Sequence, residues 1–304
     1  MVEHEVKTES RTIEVMLVSD ANYSAFLATT IVSILSNASA EDRLRFHIVD
    51  GGLLPTDLEA VEKLKGVRGF EAVYYKPDLR EYAKYLCGDI STFPVVVNHR
   101  LFAPSFLPES LDKIIYMDVD VAVVGSLREL WETPIEDVFI AAAPDQNMRL
   151  SHRKAIGLDE SFPYFNSGVL LMNLKKWRTE NVTAELMKIA VEIKANIDFP
   201  DQDVLNVYAA RHGFQRLQPW WNVHPRDYVE GETKLLHYMG SRHRCPHLDI
   251  LYGYAAQTPY GKLPMQDAQY KFKRGVKRTI CNILCFFFFP RKIRRAIRKR
   301  FNLR

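Results

Sequence analysis

Lys113-Ile114-Ile115-Tyr116-Met117-Asp118-Val119-Asp120-Val121-Ala122-Val123-Val124 is an apolar, β-branched run interrupted by two carboxylates. Such a run predicts a strand buried on both faces, as the strands of parallel α/β sheets are. A lone charge buried at its end would be costly. Asp118 and Asp120 therefore predict a shared metal ion at the carboxyl end of a central strand, where open α/β sheets bind ligands. The competing reading has Asp118 opening a turn and Asp120 solvated, and a D-x-D alone does not choose between them.

The α/β pattern continues on both sides of this segment. Residues 13–19 predict a first strand ending at Asp20, and residues 23–37 carry apolar side chains at helical spacing. Residues 44–50 predict a second strand closed by Gly51-Gly52, residues 55–65 a helix opening with proline, and residues 70–75 a third strand. Three strands with two intervening helices make a Rossmann-like half-sheet. Residues 100–108 predict a helix or loop, residues 127–131 a short helix, and residues 138–143 a strand ending at Pro144-Asp145. Residues 165–173 predict another buried strand, with Asn166 and Gly168 at its entrance and Lys175-Lys176-Trp177 at its exit. Residues 183–195 form an amphipathic pattern, and Pro200 opens a further helix whose Asp201 and Asp203 suit the positive end of its dipole.

With 304 residues, 47% of them hydrophobic, the chain can bury the core of one large α/β unit, and wholesale disorder is excluded. Its net charge of +4 divides into +13 over residues 271–304, which hold no Asp or Glu, and −9 over residues 1–270. The body is acidic and the tail basic. No repeat or Gly/Ser-rich linker cuts the body, which predicts one unit over 1–265 and a tail over 266–304. Cys87, Cys245, Cys281 and Cys285 lack metal-finger spacing and read as reduced thiols. Residues 1–12 offer no apolar signal core, and no run of about 18 apolar residues exists to span a bilayer. A bacterial cytoplasmic setting is expected.

The tail sets residues 280–289, ending in four phenylalanines, between Lys271-Phe272-Lys273-Arg274 and the basic run that begins Arg291-Lys292. That stretch is too short to cross a bilayer, yet its aromatic rings suit the headgroup boundary while the cations attract anionic lipid. It predicts peripheral attachment at the inner face of the plasma membrane. A nucleic-acid partner is not expected, because the phenylalanines cluster instead of interleaving with the basic residues and no recognition module is present.

Three blocks in order are more specific than one D-x-D: residues 115–121, residues 164–177, and Asp201-Gln202-Asp203-Val204-Leu205-Asn206. With Asp20 and with His237 in Leu235-Leu236-His237-Tyr238-Met239-Gly240, they resemble glycosyltransferase family 8. The resemblance runs from Val15 to about His247 and is greatest to the bacterial lipooligosaccharide galactosyltransferases and glucosyltransferases. It implies a glycosyltransferase A-type fold and a retaining transferase that takes UDP-glucose or UDP-galactose. Mn²⁺, or Mg²⁺, would be held by Asp118, Asp120 and His237. Carboxylates with an imidazole and no thiolate suit such an ion. Taken alone, His237 reads more readily as a satisfied histidine at a strand end than as a ligand.

The same resemblance implies a base contact at Asp20 and ring packing at Asn22 and Tyr23, with a core aromatic as the alternative for Tyr23. Arg100 matches the family's basic residue ahead of the metal strand in a register that needs one inserted residue; a surface arginine is the alternative. Asn166, Asp201 and Gln202 fall around the donor sugar, the last two as the catalytic pair, and Asp145 falls near sugar and acceptor. Retention then follows front-face attack more naturally than a covalent adduct, because the position beside the anomeric carbon is the amide Gln202, a poor nucleophile. After His237-Tyr238-x-Gly240 the family commonly has lysine, proline and tryptophan. Here the chain reads Ser241-Arg242-His243-Arg244-Cys245-Pro246, with His243 in the lysine's place and Arg242 or Arg244 as alternative phosphate contacts. The implied acceptor is a glycan or lipid-linked glycan such as a lipopolysaccharide core. Two other classes remain open on the residues: a metal-dependent nucleotide phosphohydrolase and a non-catalytic carbohydrate-binding module.

Overall fold

The first 64 residues after the start of the sheet repeat one βαβ unit. In the computed structural model, which describes residues 12–78, 95–145, 147–240 and 244–264, they form β1 (Thr12–Ser19), α1 (Ser24–Asn37), β2 (Arg43–Asp50), α2 (Pro55–Lys63) and β3 (Glu71–Tyr75). A 3₁₀ segment, Val95–Phe102, leads into α3 (Ala103–Phe106) and β4 (Lys113–Met117), followed by β5 (Val121–Val123), α4 (Arg128–Trp131) and β6 (Ile140–Pro144). Then come α5 (Leu150–Ala155), β7 (Phe165–Asn173), α6 (Leu174–Thr179), α7 (Val182–Glu192) and α8 (Pro200–His212). The series closes with β8 (Gln215–Arg216), β9 (Leu235–His237) and α9 (Leu248–Ala255). The basic tail and His243 lie outside the described residues. Among the described residues no helix is long and apolar enough to cross a membrane.

The main sheet has the order β3-β2-β1-β4-β7-β6-β8. β3, β2, β1 and β4 are parallel, whereas β7 runs antiparallel to both β4 and β6. The chain winds outward from β1 to β3 and then returns to β1's other side with β4, which opens a crevice at the carboxyl ends of β1 and β4. Because β7 is reversed, its first residues reach the same edge as the last residues of β1, β4 and β6. That edge carries Asp20, Asp118, Asp145 and Asn166.

Alternation along the strands divides the core. Ile13, Val15 and Leu17 of β1, with Ile115 and Met117 of β4 and Val169 and Leu171 of β7, face α1, α9 and the β5–β9 pair. Met16, Val18, Ile114, Tyr116, Leu170 and Met172 face α6, α7 and α8. Both faces are covered, as near-continuous apolar strands require.

As expected, the strand stops at the acidic residues: β4 ends at Met117, and beyond the turn Val121–Val123 joins Leu235–His237 in a separate antiparallel pair. Residues 114–117 and Val121–Val123 are all buried, so composition could not reveal the second sheet. Lys175, Lys176 and Trp177 at the exit of β7 form the body of α6, which Asn173 caps by accepting from the Lys176 N–H at 2.8 Å.

The turn is built by α1. Thr30 Oγ1 lies 2.8 Å from the carbonyls of both Val119 and Val121, Ser33 Oγ accepts from Val123 N at 3.0 Å, and Asn37 Nδ2 donates to Val123 O at 3.0 Å. These residues follow the i, i+3, i+7 spacing of one helix face. They satisfy backbone groups that leave the main sheet after Met117, and so hold Asp118 and Asp120 in a turn between two sheets. Thr30→Val keeps the shape and removes the hydroxyl from fully buried carbonyls. It should cost about 1–3 kcal/mol of unfolding free energy in urea denaturation; an unchanged midpoint would mean that α1 does not hold the turn.

Candidate active site

Asp118 leaves β4 with its backbone fixed to β7, its N–H donating to Gly168 O at 2.8 Å. Its Oδ1 accepts from Arg100 Nη2 at 2.8 Å and from Tyr116 Oη at 2.6 Å. Oδ2 is thereby turned toward His237, whose Nε2 lies 3.7 Å away and 3.2 Å from Asp120 Oδ1. The three candidate ligand atoms of Asp118, Asp120 and His237 lie within 4.8 Å of one another. Two hard carboxylate oxygens and one imidazole nitrogen form a donor set that fits Mn²⁺ or Mg²⁺.

The backbone opposite the set makes room for it. A Cβ on Gly168 would stand 2.2 Å from His237 Cε1 and 2.7 Å from Asp118 Oδ2. Only glycine permits the histidine and the carboxylate to approach β7 this closely.

Arg100 is 3% exposed, which excludes a surface arginine. Its Nε lies 3.2 Å from Asp201 Oδ2, its Nη1 donates to Ser167 O at 2.6 Å, and its guanidinium sits 4.2 Å from the Tyr116 ring centroid. Burial alone would lower its pKa, but Asp118 and Asp201 overcome that and raise it, so the group stays charged. Burial pushes the Tyr116 phenol far above its usual range, which keeps it a donor to Asp118. Burial likewise pushes the Asp201 carboxyl up, against the opposing pull of Arg100 and the Ser167 hydroxyl, which donates to it at 2.7 Å.

α8 supplies the wall beside this cluster. Gln202 and Asn206, one helical turn apart, both clasp the entrance of β7. Gln202 Oε1 accepts from Ser167 N at 3.1 Å and Asn166 Nδ2 at 2.9 Å, and Asn206 exchanges hydrogen bonds with both the N–H and the carbonyl of Phe165. Gln202 Nε2 donates to Tyr164 Oη at 3.0 Å. The helix-dipole explanation suits Asp203, whose Oδ2 accepts from the N–H groups of Asp198 and Phe199 at 2.9 Å each. Asp201 instead serves the ion pair with Arg100.

Of the other residues singled out in the sequence, Asp20, Asn22 and Tyr23 follow β1 and Asp145 follows β6 at the same sheet edge. Asp20 Oδ1 accepts from the N–H groups of Asn22 and Tyr23 at 2.9 and 3.2 Å, fixing the start of α1. Tyr23 is half-buried, with its ring 5.6 Å from that of Phe26. Asp145 follows β6 and accepts from Asn147 N at 2.9 Å. Gly240 is exposed and adopts a left-handed φ of 77°. The sequence reading missed Tyr116, Ser167, Asn206 and Asn222. Tyr116, Ser167 and Asn206 stood inside recognised blocks without being singled out; Asn222 carried no local signal, because its partner Asn166 lies 56 residues back along the chain.

Residues 14–243 match the family described as glycosyl transferase family 8, and the chain belongs to that family. General stress protein A of Bacillus subtilis is 27% identical over 214 residues, covering 68% of this chain and 70% of the relative. The lipopolysaccharide 1,2-glucosyltransferase of Escherichia coli is 29% identical over 214 residues, covering 67% of this chain and 60% of the relative. This chain thus spans under two thirds of that relative's length. Among solved structures, the galactosyltransferase LgtC, determined in complex with donor and acceptor sugar analogues, matches with a TM-score of 0.72 at 23% identity, over 84% of this chain and 98% of that one. The match shows a shared glycosyltransferase A-type fold. This chain is a glycosyltransferase.

Gly168→Ala should abolish divalent-metal binding while leaving the far-ultraviolet circular dichroism unchanged. Titration of Mn²⁺ followed by the electron paramagnetic resonance of the free ion checks it; wild-type affinity in the variant would contradict the close approach.

Proposed function

We propose that residues 1–265 catalyse transfer of a hexose, glucose or galactose, from a UDP-sugar to a glycan acceptor with retention of anomeric configuration. The observation that carries this reading is the convergence of Asp118, Asp120 and His237 on one side of β7's entrance, with Asn166, Asp201 and Gln202 on the other. A phosphohydrolase accounts for the first group but gives no part to the amide wall. A carbohydrate-binding module accounts for the second but not for the acidic cluster.

Bound at the three ligands, Mn²⁺ or Mg²⁺ would neutralise charge that builds on the departing diphosphate. The protein's own groups do the rest. Arg100 and Tyr116 hold Asp118 so that one oxygen faces His237. Asn166 and Gln202, rigid through their mutual hydrogen bond, read hydroxyl groups of the donor sugar with their remaining polar faces. Asp20, Asn22 and Tyr23 at the end of β1 take the uridine, and Asp145 at the end of β6 faces sugar and acceptor. The resemblance assigns phosphate contacts to Gly240 and to His243 or a neighbouring arginine.

Retention by front-face attack fits the hydrogen bonding. Gln202 Oε1 is already engaged by two donors, and Asp201 is bound by Arg100 and Ser167. Neither is poised as a free nucleophile, whereas the partial negative charge of a fixed Gln202 oxygen stabilises an oxocarbenium-like state. The family resemblance and the relatives' names support lipopolysaccharide core as acceptor.

The purified chain should hydrolyse UDP-glucose or UDP-galactose slowly without acceptor, only when Mn²⁺ is present, and should release no phosphate from UDP itself. Gln202→Ala should lower kcat about a hundredfold while UDP affinity stays near wild type. Equal loss of both would remove Gln202 from the transition state, and phosphate release from UDP would favour the phosphohydrolase.

The composition of residues 271–304 supports attachment to an anionic membrane surface at the cytoplasmic leaflet, where a lipid-linked acceptor would be presented. The full chain should float with vesicles containing phosphatidylglycerol and not with pure phosphatidylcholine vesicles. Raising salt should weaken this binding. Equal flotation with both would contradict an electrostatic tail.

A further inference from the structure

A chain of side-chain amides connects the two halves of the site, and the backbone of β7 sets its direction. Oxygen and nitrogen of an amide are told apart by their partners. The Gly168 N–H can only donate, so the Asn166 atom it reaches at 2.9 Å is the carbonyl oxygen Oδ1. The Asn222 atom 3.0 Å from that oxygen must then be the amide nitrogen, which leaves Asn222 Oδ1 facing His237 Nδ1 at 2.9 Å. An amide oxygen only accepts. His237 therefore donates from Nδ1, and the neutral ring presents its Nε2 lone pair toward Asp118 and Asp120.

The other end has the same polarity. Ser167 N–H also can only donate, which fixes Gln202 Oε1 as the atom it meets and turns Gln202 Nε2 to Tyr164 Oη. The tyrosine hydroxyl in turn donates to Asp203 Oδ1 at 2.6 Å. Reversing any one amide would oppose two donors or two acceptors at the next link.

Asn222 reaches this position because its neighbour Val223 is bonded to β9 on both sides: Val223 N donates to Leu235 O at 3.0 Å, and His237 N donates to Val223 O at 2.8 Å. The asparagine is thus registered on the strand that carries the histidine.

We propose that Asn222 is a positioning residue that holds His237 as the Nδ1–H tautomer with Nε2 presented to the metal, and that through Asn166 it couples the metal side of the site to the donor-sugar side. The second half rests on the functional reading above; the tautomer does not. A partner on the distal nitrogen of a metal-binding histidine fixes its orientation and basicity.

The test compares the full-length wild type with Asn222→Ala, Asn222→Asp and His237→Ala. Long-range ¹H–¹⁵N correlation spectra of the metal-free proteins at pH 8 should show His237, assigned by its loss in His237→Ala, as the Nδ1–H tautomer in the wild type. Asn222→Ala should shift it toward Nε2–H and weaken Mn²⁺ binding, followed by electron paramagnetic resonance, by roughly 10–100-fold. Asn222→Asp keeps an acceptor for Nδ1–H and should restore both signals. It places an oxygen against Asn166 Oδ1, so KM for the UDP-sugar should rise even though the metal binds. A wild-type Nε2–H tautomer overturns the proposal without any variant, and so does Asn222→Ala with unchanged tautomer and affinity. Should wild type and His237→Ala bind Mn²⁺ alike, the metal reading and the coupling fall, while the tautomer spectra still decide what Asn222 does.

Discussion

The site depends on how the two oxygens of Asp118 are divided. One is committed to the buried Arg100 guanidinium and the Tyr116 hydroxyl, and the other is turned into the space shared with Asp120 and His237. Without Arg100, Asp118 and Asp201 would face each other's charge across a buried region, and removal of one partner from such an arrangement is far more costly than a surface ion pair suggests. Arg100 also reaches Ser167 on β7, so one cation ties together the segment before β4, the end of β4, the entrance of β7 and the first turn of α8. The acidic cluster is thereby made rigid without consuming the oxygen that a metal would need.

The antiparallel setting of β7 makes this convergence possible. Parallel strands deliver only their carboxyl ends to a ligand edge, and the residues that follow must be loops. A reversed strand delivers its first residues, still held in the sheet, so Asn166, Ser167 and Gly168 meet the ends of β4 and β6 with their backbone donors fixed. Those donors set the direction of the amides around them, and Gly168 supplies the space in which His237 and Asp118 approach.

Much of this was legible in the sequence, and the limits have physical reasons. β1, β2, β3 and β7 announced themselves because buried strands need long apolar runs, and the D-x-D stood out as charge where none should be. The direction of β7 left no trace, since an apolar strand reads the same either way. The second sheet was hidden because Val121, Ala122 and Val123 are as buried in it as β4 is in the large one. What creates the turn between the sheets, Thr30, Ser33 and Asn37, looks like ordinary polar content in a helix until the carbonyls of Val119 and Val121 are placed beside it. Arg100 stood out only through the family resemblance, and Asn222 is legible only through Asn166, 56 residues back along the chain, a relation no local pattern encodes.

The central claim is that Asp118, Asp120 and His237 hold one divalent metal at the sheet edge. Its most direct test is anomalous diffraction at the manganese absorption edge from crystals grown with Mn²⁺ and UDP. The account predicts a single strong peak within coordination distance of Asp118 Oδ2, an Asp120 carboxylate oxygen and His237 Nε2, with diphosphate density on its open side. A peak elsewhere, or none at this edge while UDP is bound, would contradict it.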